Sequence, residues 1–458
     1  MPVVLPQLQE PPGDGRVAAA MADALSAALR ALPAALRSHA RPVERFAASA
    51  LMAAGSPPGL RLAASQLLAL VPRAAGDAGA WGDLCQRLLT EAHRQLDVAF
   101  LGLEDPALVT SARATLKPGG MGLLGGAPGP PSAGPAAAAG AGGGAGGAAA
   151  LARLGGLLDC LERLLTGAFP VAVPLPGGTV LALLRRVLAM DTAPVAEGRV
   201  PASASAYAEL ISALPALHAA ALGLLQTLLA VGRGALAPLQ GPACALACDL
   251  LRRLAAGGAR TLVVAAWPVR EQVHAFSADV LAAAVQSAAL RLLEALLQAG
   301  GASLPAEQRA RADALAAHAA ATTAAAAERL AREAETGGRE RAWASASAAY
   351  GGQGDPGGVG APELRAAALR ALAASVLAPA PHRPPFLPLA LELFRQGLLA
   401  LAPDVVAVSG RALAACEALL HPRLGGGYAA GESEDSEGPL PEIDSGLSSS
   451  DEESGIEE

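Results

Sequence analysis

Four arrangements in this 458-residue sequence place reactive side chains at useful spacings. His93 and Asp97 lie one helical turn apart, the separation at which a carboxylate can orient an imidazole for general-base work. Cys244 and Cys248 share a face at i and i+4, which would supply two of the four ligands of a structural zinc site. The glycine run GAGGGAGG at 140–147 can be aligned with a dinucleotide-binding fingerprint, and Ser409 stands in AVSGR. Each arrangement lacks what its chemistry needs next. No nucleophile signature accompanies His93 and Asp97, so they read as a surface or capping pair. No further ligands flank the two cysteines, which read as small core residues. The glycine run follows no strand, and Ser409 lacks the GxSxG elbow. The one lysine, Lys117, precedes rather than follows its glycines, and the seven histidines form neither HExxH nor HxH. The chain is therefore expected to be no enzyme, with no catalytic residue, no metal and no cofactor.

Two further patterns concern recognition. LxxLL pentapeptides occur in helical sequence at Leu161, Leu164 and Leu165, at Leu225, Leu228 and Leu229, and at Leu293, Leu296 and Leu297. A displayed docking helix uses such leucines to fill a partner's groove. Here each pentapeptide sits inside a longer leucine stripe, so the helix needs those leucines for its own neighbours and they are expected to be core. A fourth match, Leu154–Leu158, contains paired glycines that disfavour helix. Ser448, Ser449 and Ser450 each have an acidic residue three positions on, which suits an acid-directed kinase; the same run also reads as a solvated charge cluster.

The elements that carry these residues follow from composition. Hydrophobic residues make up 52% of the chain but aromatics only 3%, so leucine and alanine supply the apolar content, and both favour helix over strand. Leu157, Leu158, Leu161, Leu164 and Leu165 form one stripe, with Asp159, Glu162 and Arg163 turned to water. Gly167 and the proline-spaced connector end that helix, and Thr179 is placed to cap the next, giving an αα-hairpin. Comparable stretches recur to Leu401 without a strand run. The expected fold is all-α: an irregular α-solenoid of armadillo- or HEAT-like hairpins with low-complexity linkers and a disordered acidic tail. The expected organisation is an N-terminal helical segment at 17–117, a Gly/Ala/Pro linker at 118–150 and a central helical segment at 151–304. An Ala-rich polar helix at 305–334, an exposed or partly disordered insertion, follows. A Gly-rich linker at 335–362, a C-terminal helical segment at 363–423 and the acidic tail at 424–458 complete it.

Charge and hydropathy narrow the partners. Residues 431–458 carry 11 acidic side chains and no basic one, while the first 430 hold 34 basic against 30 acidic. No concentrated basic face marks a nucleic-acid clamp. Leu210–Gly232 runs 23 residues without a charge, long enough to span a bilayer, but His218, Gln226 and Thr227 interrupt it and no basic cluster flanks it. It reads as a buried helix, with no membrane partner. No signal peptide is visible at the N-terminus, and five scattered cysteines argue against a disulfide framework.

Three stretches, in order, resemble the proline-, glutamic-acid- and leucine-rich protein family, the Rix-type pre-ribosomal assembly factors. Arg61–Asp105, with Trp81, Cys85, His93 and LGLED, is similar to that family's N-terminal helical segment. LLDCLERLLTGAFPVAVPLP, Leu157–Pro176, resembles its Cys-Leu-x-x-Leu-Leu helix and connector, and LPALHAAALGLLQTLL, Leu214–Leu229, its Leu-Pro-x-Leu-His helix. The resemblance implies a non-enzymatic scaffold of the nucleus, nucleolus and nucleoplasm, acting in pre-rRNA processing at the second internal transcribed spacer and in maturation of the pre-ribosomal large subunit. It implies a WD-repeat propeller protein, a second helical-repeat protein and a midasin-type AAA ATPase as partners, together with self-association as a homodimer. The alternative is a nuclear transcriptional coregulator docking through its LxxLL helices. The tail of 28 residues and the dispersed prolines depart from animal members, whose long proline- and glutamate-rich regions are linked to coregulation.

Overall fold

The computed structural model describes residues 14–117, 122–123, 143–190, 204–257, 271–335, 361–379 and 386–420. Within them the chain is all-α, with no strand among the described residues. The helices are α1 (Gly15–Ala31), α2 (Ala40–Met52), α3 (Pro58–Leu70), α4 (Ala78–Ala99), α5 (Pro106–Arg113), α6 (Gly143–Thr166) and α7 (Gly177–Ala189). They continue as α8 (Ala204–Gly232), α9 (Ala237–Gly257), α10 (Glu271–Gly300), α11 (Ala306–Glu335), α12 (Ala361–Leu377), α13 (Leu387–Leu398) and α14 (Pro403–Leu420). A single turn, Pro72–Ala75, and two 3₁₀ segments, Pro33–His39 and Arg233–Leu236, fill the joints.

Contacts follow a regular order. Helices α3, α6, α8, α10, α12 and α14 pack each on the next, although one or more elements intervene in sequence. Helices α1 and α2 pack on α3, and from there on the members of a second series, α4, α7, α9, α11 and α13, each pack on the following member of the first. One contiguous apolar cluster runs through both, from Ala18 to Cys416. It is built of leucine and alanine, with Trp81, Phe46, Phe100 and Phe394 as its largest apolar anchors. Each fully buried leucine contributes roughly 1.5–3 kcal/mol relative to exposure, so the long leucine faces hold the helices together.

Helix ends are fixed by short-range chemistry. Asp14, Asp77 and Asp105 are N-caps whose carboxylates accept from the backbone N–H of Arg16, Ala80 and Ala107 at 2.8, 2.7 and 2.9 Å. At the C-terminal ends, arginines from elsewhere in the fold donate to carbonyls that have no intrahelical partner. Arg37 reaches the Ala74 and Ala75 carbonyls at 3.2 and 3.3 Å. Arg253 of α9 donates to the Leu188 carbonyl and, at 3.1 Å, to that of Ala189 at the end of α7. Arg309 of α11 donates to the Ser375 carbonyl at 2.7 Å and the Pro379 carbonyl at 3.2 Å, and also to that of Gly301. Cationic donors suit the negative end of the helix dipole, and they tie one helix of a packed pair to the end of the other.

Several sequence expectations change here. The linker expected at 118–150 ends sooner: α6 begins at Gly143, Ala150 is buried, and Leu123 within the expected linker is buried too. The paired glycines do not break the helix. A Cβ on Gly156 would stand 2.7 Å from a methyl of Leu51, so the bare backbone there lets α2 approach α6. Thr179 is not a cap: α7 starts at Gly177 after Pro176, and the Thr179 hydroxyl donates to the Thr115 carbonyl at 3.2 Å. The Ala-rich helix is no exposed insertion. Ala312, Ala316 and Ala320 of α11 are fully buried, and α11 packs closely on α12. Methyl side chains permit close axial approach, so a face built mainly of alanine still serves as core. The expected acidic tail, 424–458, lies outside the described residues.

Candidate functional site

All nine LxxLL leucines are buried. Leu161, Leu164 and Leu165 on α6 are 0–6% exposed, Leu225, Leu228 and Leu229 on α8 are 1–7% exposed, and Leu293, Leu296 and Leu297 on α10 are 0–1% exposed. These three helices are consecutive members of the first packing series. The Trp81 indole N–H donates to the Leu164 carbonyl at 3.3 Å, seating α4 against the first pentapeptide. The polar residues between the leucines are not simply turned to water. The Ser65 hydroxyl of α3 donates to Asp159, which also accepts from Arg163 at 2.9 Å, and Glu162 accepts from the Thr227 hydroxyl of α8 at 3.2 Å. A partner's groove reaches these leucines only after the packed helices separate.

A buried polar cluster lies where α4, α5 and α7 meet, and its centre is a residue that sequence reasoning did not single out. The Arg186 side chain on α7 is 0% exposed. Its guanidinium forms a fork on Glu104 at 2.8 and 2.5 Å, donates to Asp97 at 2.8 Å, and contacts His93 Nδ1 at 2.9 Å. Asp97 accepts a second arginine, Arg113, at 2.6 Å. His93 and Asp97 are therefore not a surface or capping pair; both serve the same buried cation. The loop that supplies Glu104 is built for it. Gly102 has φ +79°, a left-handed conformation that a side chain disfavours. Leu103 plugs the core, and Asp105 caps α5. Nothing in the spacing of LGLED or of LLRRVL betrays this meeting, because the two are 82 residues apart.

Burial and charge set the protonation states. Burial, helped by the Arg186 charge, lowers the His93 pKa from its ordinary value of 6.5 to about 4, so the imidazole is neutral. With Nδ1 accepting from Arg186, the proton sits on Nε2, which is buried without a partner. Burial raises the Glu104 carboxyl against the opposing effect of Arg186. Burial also opposes the charged form of Arg186, but hydrogen bonds and charge from Glu104 and Asp97 outweigh it and raise the pKa. An arginine held by two carboxylates offers neither a proton acceptor nor an open coordination position. The arrangement locks helices together.

The remaining candidates are equally enclosed. Cys244 and Cys248 are buried with their sulfurs 4.0 Å apart. Their mutual hydrogen bond raises the Cys244 pKa and lowers that of Cys248. Among the described residues no three His, Cys, Asp or Glu side chains are grouped so as to hold a metal ion. Ser409 is fully buried, with no hydrogen-bond partner for its hydroxyl. His218 lies in the core near the Val187 carbonyl at 3.1 Å. Ser448, Ser449 and Ser450 lie outside the described residues. Glu209–Gly232, within α8, is long and apolar enough to cross a membrane, and its leucines from Leu210 to Leu229 pack against α6, α7 and α10.

No protein-family model matches this chain, and no curated protein is significantly similar to it.

Proposed function

We propose that the chain is a non-enzymatic α-solenoid scaffold of large-subunit ribosome assembly, with armadillo- or HEAT-like hairpins stacked in two rows. One observation carries the reading. The three stretches that resemble the Rix-type factors pack into one block, with α3 and α4 against α6 and α6 against α8. The residues that carry the resemblance have structural work within it. Trp81 and Cys85 are buried beside α6, His93 and Glu104 bind Arg186, and His218 meets α7. A family likeness made of such residues speaks for a shared fold, and the outer surface is left for partners.

In this reading the chain holds a WD-repeat propeller protein and a second helical-repeat protein in the nucleus, and helps deliver a midasin-type ATPase to large-subunit precursors, in support of second internal transcribed spacer removal. Repeat stacks suit such work because they present a long continuous surface from small repeated parts. Receptor docking through LxxLL helices finds no support in the position of the leucines. Affinity purification from the native cells with mass spectrometry tests the proposal: the propeller partner and large-subunit precursors should be recovered. Recovery of neither, from cells where the tagged chain restores growth, overturns it.

A further inference from the structure

A groove of ≈ 500 Å³ lies between α10, α12 and α14. Its floor is apolar, formed by buried Val408 and Ala412 with Leu377, which is 37% exposed. Two arginines stand at its rim. Arg370 has its Nε 3.5 Å from Glu294, a loose pairing. Arg411 donates to the Ala407 carbonyl of its own helix at 3.3 Å, and no described carboxylate lies within ion-pairing distance of it. The groove thus offers a narrow apolar strip and two cations that share one carboxylate of its lining, Glu294, on which both arginine charges act.

The chain itself carries a segment of complementary chemistry. Residues 431–458 hold 11 acidic side chains and no basic one, and Leu440, Ile443 and Leu447 interleave with Glu442 and Asp444. The tether is short. Helix α14 forms one wall of the groove and is also the last described element before that segment. From Arg411 to the end of α14 at Leu420 is about 14 Å along the helix, whereas the residues from Leu420 to Leu440 extend up to ~70 Å. Such a tether gives an effective concentration on the order of millimolar, so weak contacts suffice.

We propose that the acidic segment around Leu440–Leu447 of this chain docks in the groove between α10, α12 and α14, with its leucines on Leu377 and Val408 and its carboxylates on Arg370 and Arg411. A partner that uses the same groove must first displace it, so the segment acts as a built-in competitor. The test uses the isolated full-length chain and is therefore separate from partner recovery in cells. A photo-crosslinking residue replaces Ile443, and mixed isotope-labelled and unlabelled chains separate intrachain from interchain products. Intrachain crosslinks to α12 and α14 residues lining the groove are expected. They should fall about fivefold or more in Arg370→Glu/Arg411→Glu, with the melting temperature retained, and likewise in the unmutated rim at 1 M salt. If the doubly reversed chain fails to fold, Arg370→Gln/Arg411→Gln and the salt series decide. Crosslinks spread over other helices, crosslinks only between chains, or a yield indifferent to both charge and salt overturn the proposal.

Discussion

Replacing Arg186 by methionine tests the buried cluster most sharply. The guanidinium is fully enclosed and divides its donors among Glu104, Asp97 and His93. Asp97 is 28% exposed and keeps Arg113 at 2.6 Å, so it loses little. Glu104 is 8% exposed and is left as a buried, unpaired carboxylate. Breaking such a pair from one side costs about 3–5 kcal/mol, whereas replacing both partners by apolar residues of similar size is often near neutral. Arg186→Met should therefore lose about 3–5 kcal/mol in urea denaturation, and Glu104→Leu a comparable amount. The double variant should fall well short of the sum, with a coupling energy on the order of 2 kcal/mol or more. Removing the cation should also raise the His93 pKa, visible in the imidazole proton shifts. Additive losses, or a single-variant loss below about 1 kcal/mol, would refute the reasoning.

Three other outcomes follow from the same structure. The folded chain holds His93 neutral to about pH 4, while the unfolded chain protonates it near 6.5; stability should thus fall by roughly 3 kcal/mol as pH drops from 6.5 to 4, and His93→Gln should remove that slope from a pH series of denaturation curves. Gly102→Ala, at φ +79°, should cost about 1–2 kcal/mol by forcing a side chain into the left-handed region, checked by thermal melting. All five cysteines are buried, and burial pushes the Cys85 thiol up to about 12; a thiol-reactive chromophore should label essentially none in the native chain and all five in denaturant.

The helices were legible in the sequence wherever leucine supplied the period. The stripe from Leu157 to Leu165 places α6 and orients its buried face, and the enclosure of the LxxLL leucines follows from the same spacing. Legibility failed where small residues do the packing. Gly143 to Ala150 looks like linker in composition, and Ala306 to Glu335 has only two leucines, Leu315 and Leu330, yet both are helical and both bury residues, because close approach substitutes for large side chains. The Arg186 cluster was not legible at all. Arg186 sits beside an arginine in an ordinary amphipathic helix, and its partners lie 82 to 93 residues away. Long-range pairing of single charges has no local period, so only the packing of α4, α5 and α7 reveals it. The arginines that cap distant helix ends, Arg253 and Arg309, were hidden for the same reason.

The central claim is that the body's leucines hold the helices to one another and leave recognition to other surfaces. Leu164→Ala tests it directly, with denaturation and partner recovery measured on the same protein. The account predicts a loss of about 2–5 kcal/mol, with partners retained at temperatures where the variant remains folded. Unchanged stability together with lost partners would contradict it.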